Sequence, residues 1–192
     1  MKTIVQLRGL NASGKSTTVR QFVEKEHLEP TMMEICGIKT RITRNERIAV
    51  LGWYKPVSNT EGCDGNVIRS RDHLLAALQE VIKMGYRTII FEGLIYGKTF
   101  KLAEDLFEFG KKRGYQYIPI DLVLPYDEHL KRLMYRNGGN ANINFDIFDR
   151  GLIGMRNARQ KMKQIGIPLR VIDVSKVEPD QMWKIIADVV EK

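Results

Sequence analysis

Four residues near the start of the chain have types and spacing that carry chemistry. In GLNASGKST, residues 9–17, Gly9, Gly14, Lys15 and Ser16 satisfy the pattern G-x-x-x-x-G-K-S/T. Glycines let a backbone curl tightly enough for successive N–H groups to point inward. A helix starting directly afterwards adds unsatisfied donors and the positive end of its dipole. Asn11, Ala12, Ser13 and Thr17 complete that cradle. Lys15 is placed to reach the outer phosphates, and the Ser16 hydroxyl to hold a magnesium ion. The ligand chemistry is that of a nucleoside triphosphate, ATP or alternatively GTP, taken with Mg2+. An ordinary glycine- and serine-rich turn with a solvated lysine is the competing reading. It is disfavoured by the flanks: an apolar run before the loop, and a helical pattern with Thr18, Phe22 and Val23 after it.

Two carboxylates are candidates for work on the transferred group. TIIFEG ends in Glu92 and Gly93, three apolar residues closing on one acid, which fits a strand end with its acid acting through magnesium or on the attacking group. In EGCDGN, residues 61–66, Gly62 and Gly65 would expose Asp64 at a tight bend. There it either accepts a proton from a substrate hydroxyl or bonds its own turn backbone. The assignment expected is Asp64 as base and Glu92 near the metal beside Ser16.

Arginines form a second group. Arg132 and Arg136 are four apart and share a helix face, and the helix should stop at Asn137-Gly138-Gly139. After an asparagine-rich loop, Arg150 and Arg156 re-enter a helical pattern. Residues 132–150 therefore read as a mobile lid whose arginines can neutralise charge on a transferring phosphoryl group. Arg41, Arg44 and Arg47, with Trp53 and Tyr54 available to stack a base, are the expected acceptor contacts together with Arg150. The three histidines, His27, His73 and His129, lie in charged helical surroundings and are expected to have no chemical role.

The elements that must position these groups alternate along the chain. Strands are expected at 2–8, about 32–42, 46–53, 87–92, 117–124 and 168–174. Helices are expected near 15–27, 68–84, 98–113, 126–136, 146–164 and 179–190. This is the pattern of a parallel sheet covered on both faces. The segment from EICGIKTRI to RIAVLGWY departs from it and reads as an antiparallel hairpin, a binding insertion. In an open parallel sheet the ligand sits beyond the carboxyl ends of the strands, at the switch point. Strand 2–8 should therefore be central.

With 192 residues, 43% hydrophobic and 28% charged, the chain reads as a single domain, 1–192, with a proper core. No run approaches 18 consecutive apolar residues, so neither a membrane span nor a membrane partner is expected. Two cysteines, Cys36 and Cys63, fit a reducing cytoplasm without a zinc spacing. The net charge of +8 is concentrated: residues 37–55 carry five basic side chains against Glu46, and residues 126–164 carry eight against four acids. Such blocks favour an anionic partner, although part of the charge must serve the nucleotide itself.

Taken together, GLNASGKST, the strand-end FEG and KRLMYR resemble the P-loop kinase superfamily, KRLMYR being similar to the R-L-x-x-R segment leading into the lid of small-molecule and nucleotide kinases. No N-K-x-D guanine motif is present. The segment LGWYKPVSNTEGCDGN, followed by TIIFEGL, resembles bacteriophage kinases that phosphorylate hydroxymethyluracil in DNA. Gly62-Cys63 stands where those enzymes have paired glycines before the aspartate. The resemblance implies a three-layer α/β P-loop kinase fold, with a five-stranded parallel sheet in the order 2-3-1-4-5, an added β-hairpin and a helical lid. It implies a phosphotransferase with an alcohol acceptor, DNA with a modified base as partner, and a phage-infected host cytoplasm as location. A kinase of a free nucleoside or nucleotide is the alternative, and a non-catalytic ATP-dependent DNA-binding domain the third reading. Oligomeric state is not legible.

Overall fold

The structure is a computed structural model; it describes residues 1–35, 37–52, 54, 68, 70–93, 99–136 and 143–190. Seven strands form one mixed sheet in the order β2-β3-β4-β5-β1-β6-β7: β1 (Thr3–Arg8), β2 (Glu29–Ile35), β3 (Ile38–Arg44), β4 (Ile48–Leu51), β5 (Thr88–Glu92), β6 (Gln116–Val123) and β7 (Arg170–Asp173). β4, β5, β1, β6 and β7 run parallel. Numbered among themselves, those five strands have the expected order 2-3-1-4-5, and β1 lies in the middle.

The hairpin differs from expectation. The single strand anticipated over 32–42 is two strands, because the chain reverses between Ile35 and Ile38, which are register partners. Gly37 has φ +75 there, a conformation that costs a residue without Cβ nothing. β3 then pairs antiparallel with β4, Ile42 opposite Leu51, so β2 and β3 extend the sheet beyond β4.

Six α-helices among the described residues cover the sheet: α1 (Lys15–Lys25), α2 (Arg71–Lys83), α3 (Phe100–Lys111), α4 (Tyr126–Arg136), α5 (Phe145–Gln164) and α6 (Lys184–Val190). The period-2 alternation of the strands decides which helix meets which side chain. Ile4, Ala49, Leu51, Ile89 and Phe91 face the layer made by α2, α3 and α5. Val5, Leu7, Val50, Ile90 and Ile120 face α1 and α6. Side-chain caps fix two helix starts: the Ser70 hydroxyl accepts from His73 N–H at 3.1 Å, and Asn144 Oδ1 accepts from Ile147 N–H at 3.0 Å. Each such cap is worth about 1 kcal/mol. Leu10 packs with Phe148 and Met155, and with the half-buried Leu130, Leu133 and Leu152, joining the glycine-rich loop to α4 and α5.

Candidate nucleotide and phosphoryl-transfer site

The loop leaves β1 at Arg8 and enters α1 at Lys15. Gly9 has φ +151, Ala12 +62 and Gly14 +90, a succession of positive φ values that curls the backbone into a cup. Only glycine fits at residue 9, where a Cβ would lie 2.4 Å from Ser13 Oγ and 2.8 Å from the Leu122 carbonyl oxygen. Gly14 precedes α1 without a capping side chain, and the first turn of the helix holds no acid. Its terminal N–H groups and positive dipole end therefore face the loop with no acid of the helix's own first turn to compensate them. A cavity of about 370 Å³ opens there, lined by Ala12, Gly14, Lys15, Ser16, Thr17, Arg20, Arg132 and Arg136.

Within it the reactive groups converge. Lys15 is 8% exposed, and its Nζ donates to the carbonyls of Gly9 at 3.0 Å and Leu10 at 3.1 Å. Glu92 closes β5 in register with Leu7 of β1, so the parallel pairing delivers its carboxylate to the point where the loop departs. The Ser16 hydroxyl donates to Glu92 Oε1 at 2.7 Å, and the Tyr54 hydroxyl reaches the same oxygen at 3.4 Å. A hydroxyl and a buried carboxylate at the mouth of the cup are hard oxygen donors of the kind magnesium accepts. No cluster of three or more His, Cys, Asp or Glu side chains exists among the described residues.

Arg132 and Arg136 come to the cavity on α4, as their four-residue spacing predicts, and Arg132 is tethered by Glu128 at 2.9 Å. Arg20 lines the same cavity without having been anticipated; its signal was its place one helical turn after Ser16. His129 was also missed. It is buried, its Nε2 donates to the Asn11 carbonyl at 2.6 Å, and its ring meets Phe148 edge-on at 5.0 Å. Burial holds its pKa below the ordinary imidazole value. The Asn11 hydrogen bond opposes that shift, and the nearby Lys15 and Arg132 charges reinforce it.

Several expected acceptor contacts are placed elsewhere. Arg44 and Arg47 sit at the amino end of β4, where Arg47 O accepts from Arg87 N–H, and Arg44 donates to Tyr86 Oη at 2.8 Å. The cup lies at the opposite, carboxyl end of the parallel strands, so Arg41, Arg44 and Arg47 do not make one groove. Arg41 and Arg44 also point to opposite faces of β3, being three residues apart in a period-2 element. Arg41 is level with Gly52, at the same end as Glu92. Tyr54 is 4% exposed within the α1/α6 layer, so its ring offers no face to a base. Arg150 is exposed, with Nε bonded to the Asp146 carbonyl at 3.1 Å. Trp53 and Asp64, and the lid segment 137–142, lie outside the described residues.

A second unanticipated feature underlies the loop. Arg8, fully buried, pairs with Asp121 Oδ1 at 3.1 Å, and Arg159 of α5 with Asp121 Oδ2 at 2.7 Å. Burial pushes the Asp121 carboxyl up, while the two guanidiniums pull it back. The network ties β1, β6 and α5 together directly beneath Gly9.

The fold and the loop define a P-loop NTPase-like α/β protein. Among solved structures, the Deinococcus radiodurans tunicamycin resistance protein superposes with a TM-score of 0.54 at 18% identity, over 98% of this chain and 96% of that one. A structure from the PezAT toxin-antitoxin system of Streptococcus pneumoniae gives 0.53 at 16% identity, over 100% and 76%. In sequence, the chain is 27% identical over 152 residues to the 5-hmdU DNA kinase of Delftia phage PhiW-14. That match covers 72% of this chain but only 55% of the phage protein. No protein-family profile matches the chain.

Proposed function

We propose that the chain is an ATP-dependent kinase whose acceptor is a hydroxyl on a modified base in DNA, hydroxymethyluracil being the base. The observation that carries the kinase reading is the convergence of Lys15, Ser16 and Glu92 at one cup, with Arg132 and Arg136 facing it from α4. The acceptor is supported by the similarity to the phage 5-hmdU DNA kinase. Arg41 at the edge of that end is a candidate for a flanking phosphate, with Trp53 and Arg150 as further acceptor contacts.

In this reading the loop N–H groups and Lys15 hold the β- and γ-phosphates. Asp64 takes the proton from the acceptor hydroxyl, whose oxygen attacks the γ-phosphorus as the bond to the β-phosphate oxygen breaks and ADP leaves. Lys15, Arg132 and Arg136 neutralise charge that grows during that exchange. Magnesium bound beside Ser16 and Glu92 would supply further neutralisation of the phosphate oxygens.

The test is an acceptor panel with γ-labelled ATP: duplex DNA containing hydroxymethyluracil, the same duplex with thymine, free hydroxymethyl-deoxyuridine, and nucleoside monophosphates. Label transferred to the modified duplex alone is the expected result. Efficient labelling of a free nucleoside or monophosphate with inert DNA would instead assign a small-molecule kinase. ATP binding without transfer to any acceptor would assign a non-catalytic domain.

A further inference from the structure

The contact between His129 and the Asn11 carbonyl does more than fill space. A trans peptide is planar, so its C=O and N–H point in opposite directions. No cis peptide occurs among the described residues, and the orientation of the Asn11 carbonyl therefore dictates that of the Ala12 N–H. His129, with Gly9 and Leu10, lines a separate cavity of about 250 Å³, whereas Ala12 lines the 370 Å³ cavity with Lys15 and Ser16. Drawing the carbonyl towards His129 thus turns the Ala12 N–H the other way, into the cup. Ala12 is held at φ +62, a region that a residue with a Cβ occupies only under external constraint. The imidazole is such a constraint: buried, packed on Phe148 and bonded at 2.6 Å.

We infer that His129 is a positioning residue for nucleotide binding, locking the Asn11–Ala12 peptide so that the Ala12 N–H faces the phosphates. Because His129 stands on α4 one turn before Arg132, the same bond fixes the arginine-bearing helix to the cup. This inference rests on reading the loop as the triphosphate site.

Glutamine separates the bond from the packing. Its amide nitrogen, like the imidazole Nε2, lies four bonds from Cα, whereas that of asparagine lies three bonds away and falls short. The experiment measures binding of a non-hydrolysable ATP analogue with Mg2+, together with KM for ATP, KM for acceptor and a thermal melt, for wild type and for His129→Gln, His129→Asn and His129→Leu. His129→Gln should bind within about twofold of wild type. His129→Asn and His129→Leu should lose about three- to tenfold, the scale of one hydrogen bond, with the acceptor KM unchanged. If His129→Leu does not fold, the Gln and Asn pair decides: equal affinities overturn the inference. Wild-type-like affinity in a folded His129→Leu protein overturns it while leaving the nucleotide site intact. Failure of the wild type itself to bind the analogue overturns both.

Discussion

Lys15 holds two carbonyls of its own loop, and Ser16 and Tyr54 converge on one oxygen of Glu92, so each of these groups has a geometry that a substitution reads out separately. In the proposed reaction, Lys15→Ala removes an ammonium whose contact with the outer phosphates would strengthen as charge accumulates on them. Turnover should fall by about 10²–10³-fold, measured as kcat at saturating ATP. Ser16→Ala and Glu92→Gln should both move the Mg2+ concentration required for half-maximal activity upwards, with excess metal partly rescuing the serine variant. An Asp64→Asn enzyme of intact turnover, beside a Glu92→Gln enzyme whose residual activity is very low but has unchanged metal dependence, would make Glu92 the proton acceptor in place of Asp64.

At the scale of elements, the loop is held by close approaches that have no slack. A methyl group at residue 9 would collide with the Leu122 carbonyl at the carboxyl end of β6, which cannot retreat without disturbing the sheet. Gly9→Ala should cost about 1–3 kcal/mol in urea unfolding, the range of an overpacked interior, and should weaken ATP binding in parallel. Gly151 of α5 plays the matching part on the lid side, since a Cβ there would meet Leu10 Cδ2 at 3.0 Å and Cδ1 at 3.4 Å. Leucine methyls yield more readily than a backbone carbonyl, so Gly151→Ala should perturb both readouts less than Gly9→Ala.

Across the whole molecule, the Arg8–Asp121–Arg159 network crosses from β1 through β6 to α5, with Arg8 and Asp121 sealed from solvent and Arg159 a quarter exposed. Asp121→Ala leaves the buried Arg8 guanidinium uncompensated and should destabilise the fold by about 3–5 kcal/mol in denaturant melts. The pH dependence of stability belongs to this scale too. The His129 pKa is lowered in the fold, so as pH falls through the ordinary imidazole value of 6.5 the unfolded chain takes up the proton first. Unfolding free energy should therefore decline below about pH 6.5 and level off below the folded-state pKa. His129→Gln should remove that part of the slope, seen as the difference between the two proteins' stability–pH curves.

The sequence by itself determined the cup, the alternation of strands and helices, and the two arginines on α4. Each depends on local spacing: a motif of eight residues, a period of 2 or 3.6, an i to i+4 pair. What pairs across the sheet was decided by tertiary structure. Leu7 and Glu92 are neighbours because β5 packs parallel to β1, and no local signal ties residue 92 to residue 16. The antiparallel turn from β3 into β4, which runs parallel to β5, put Arg44 and Arg47 at the far end from the cup, although their charge reads the same in either place. Asp121 lies more than a hundred residues from Arg8, and His129 from Asn11, so a buried ion pair and a loop clamp both look like ordinary polar residues in the sequence. Charge and hydrogen-bonding capacity are written in residue types. Whether they are spent on solvent, on the core or on a ligand depends on burial, which only the assembled layers create.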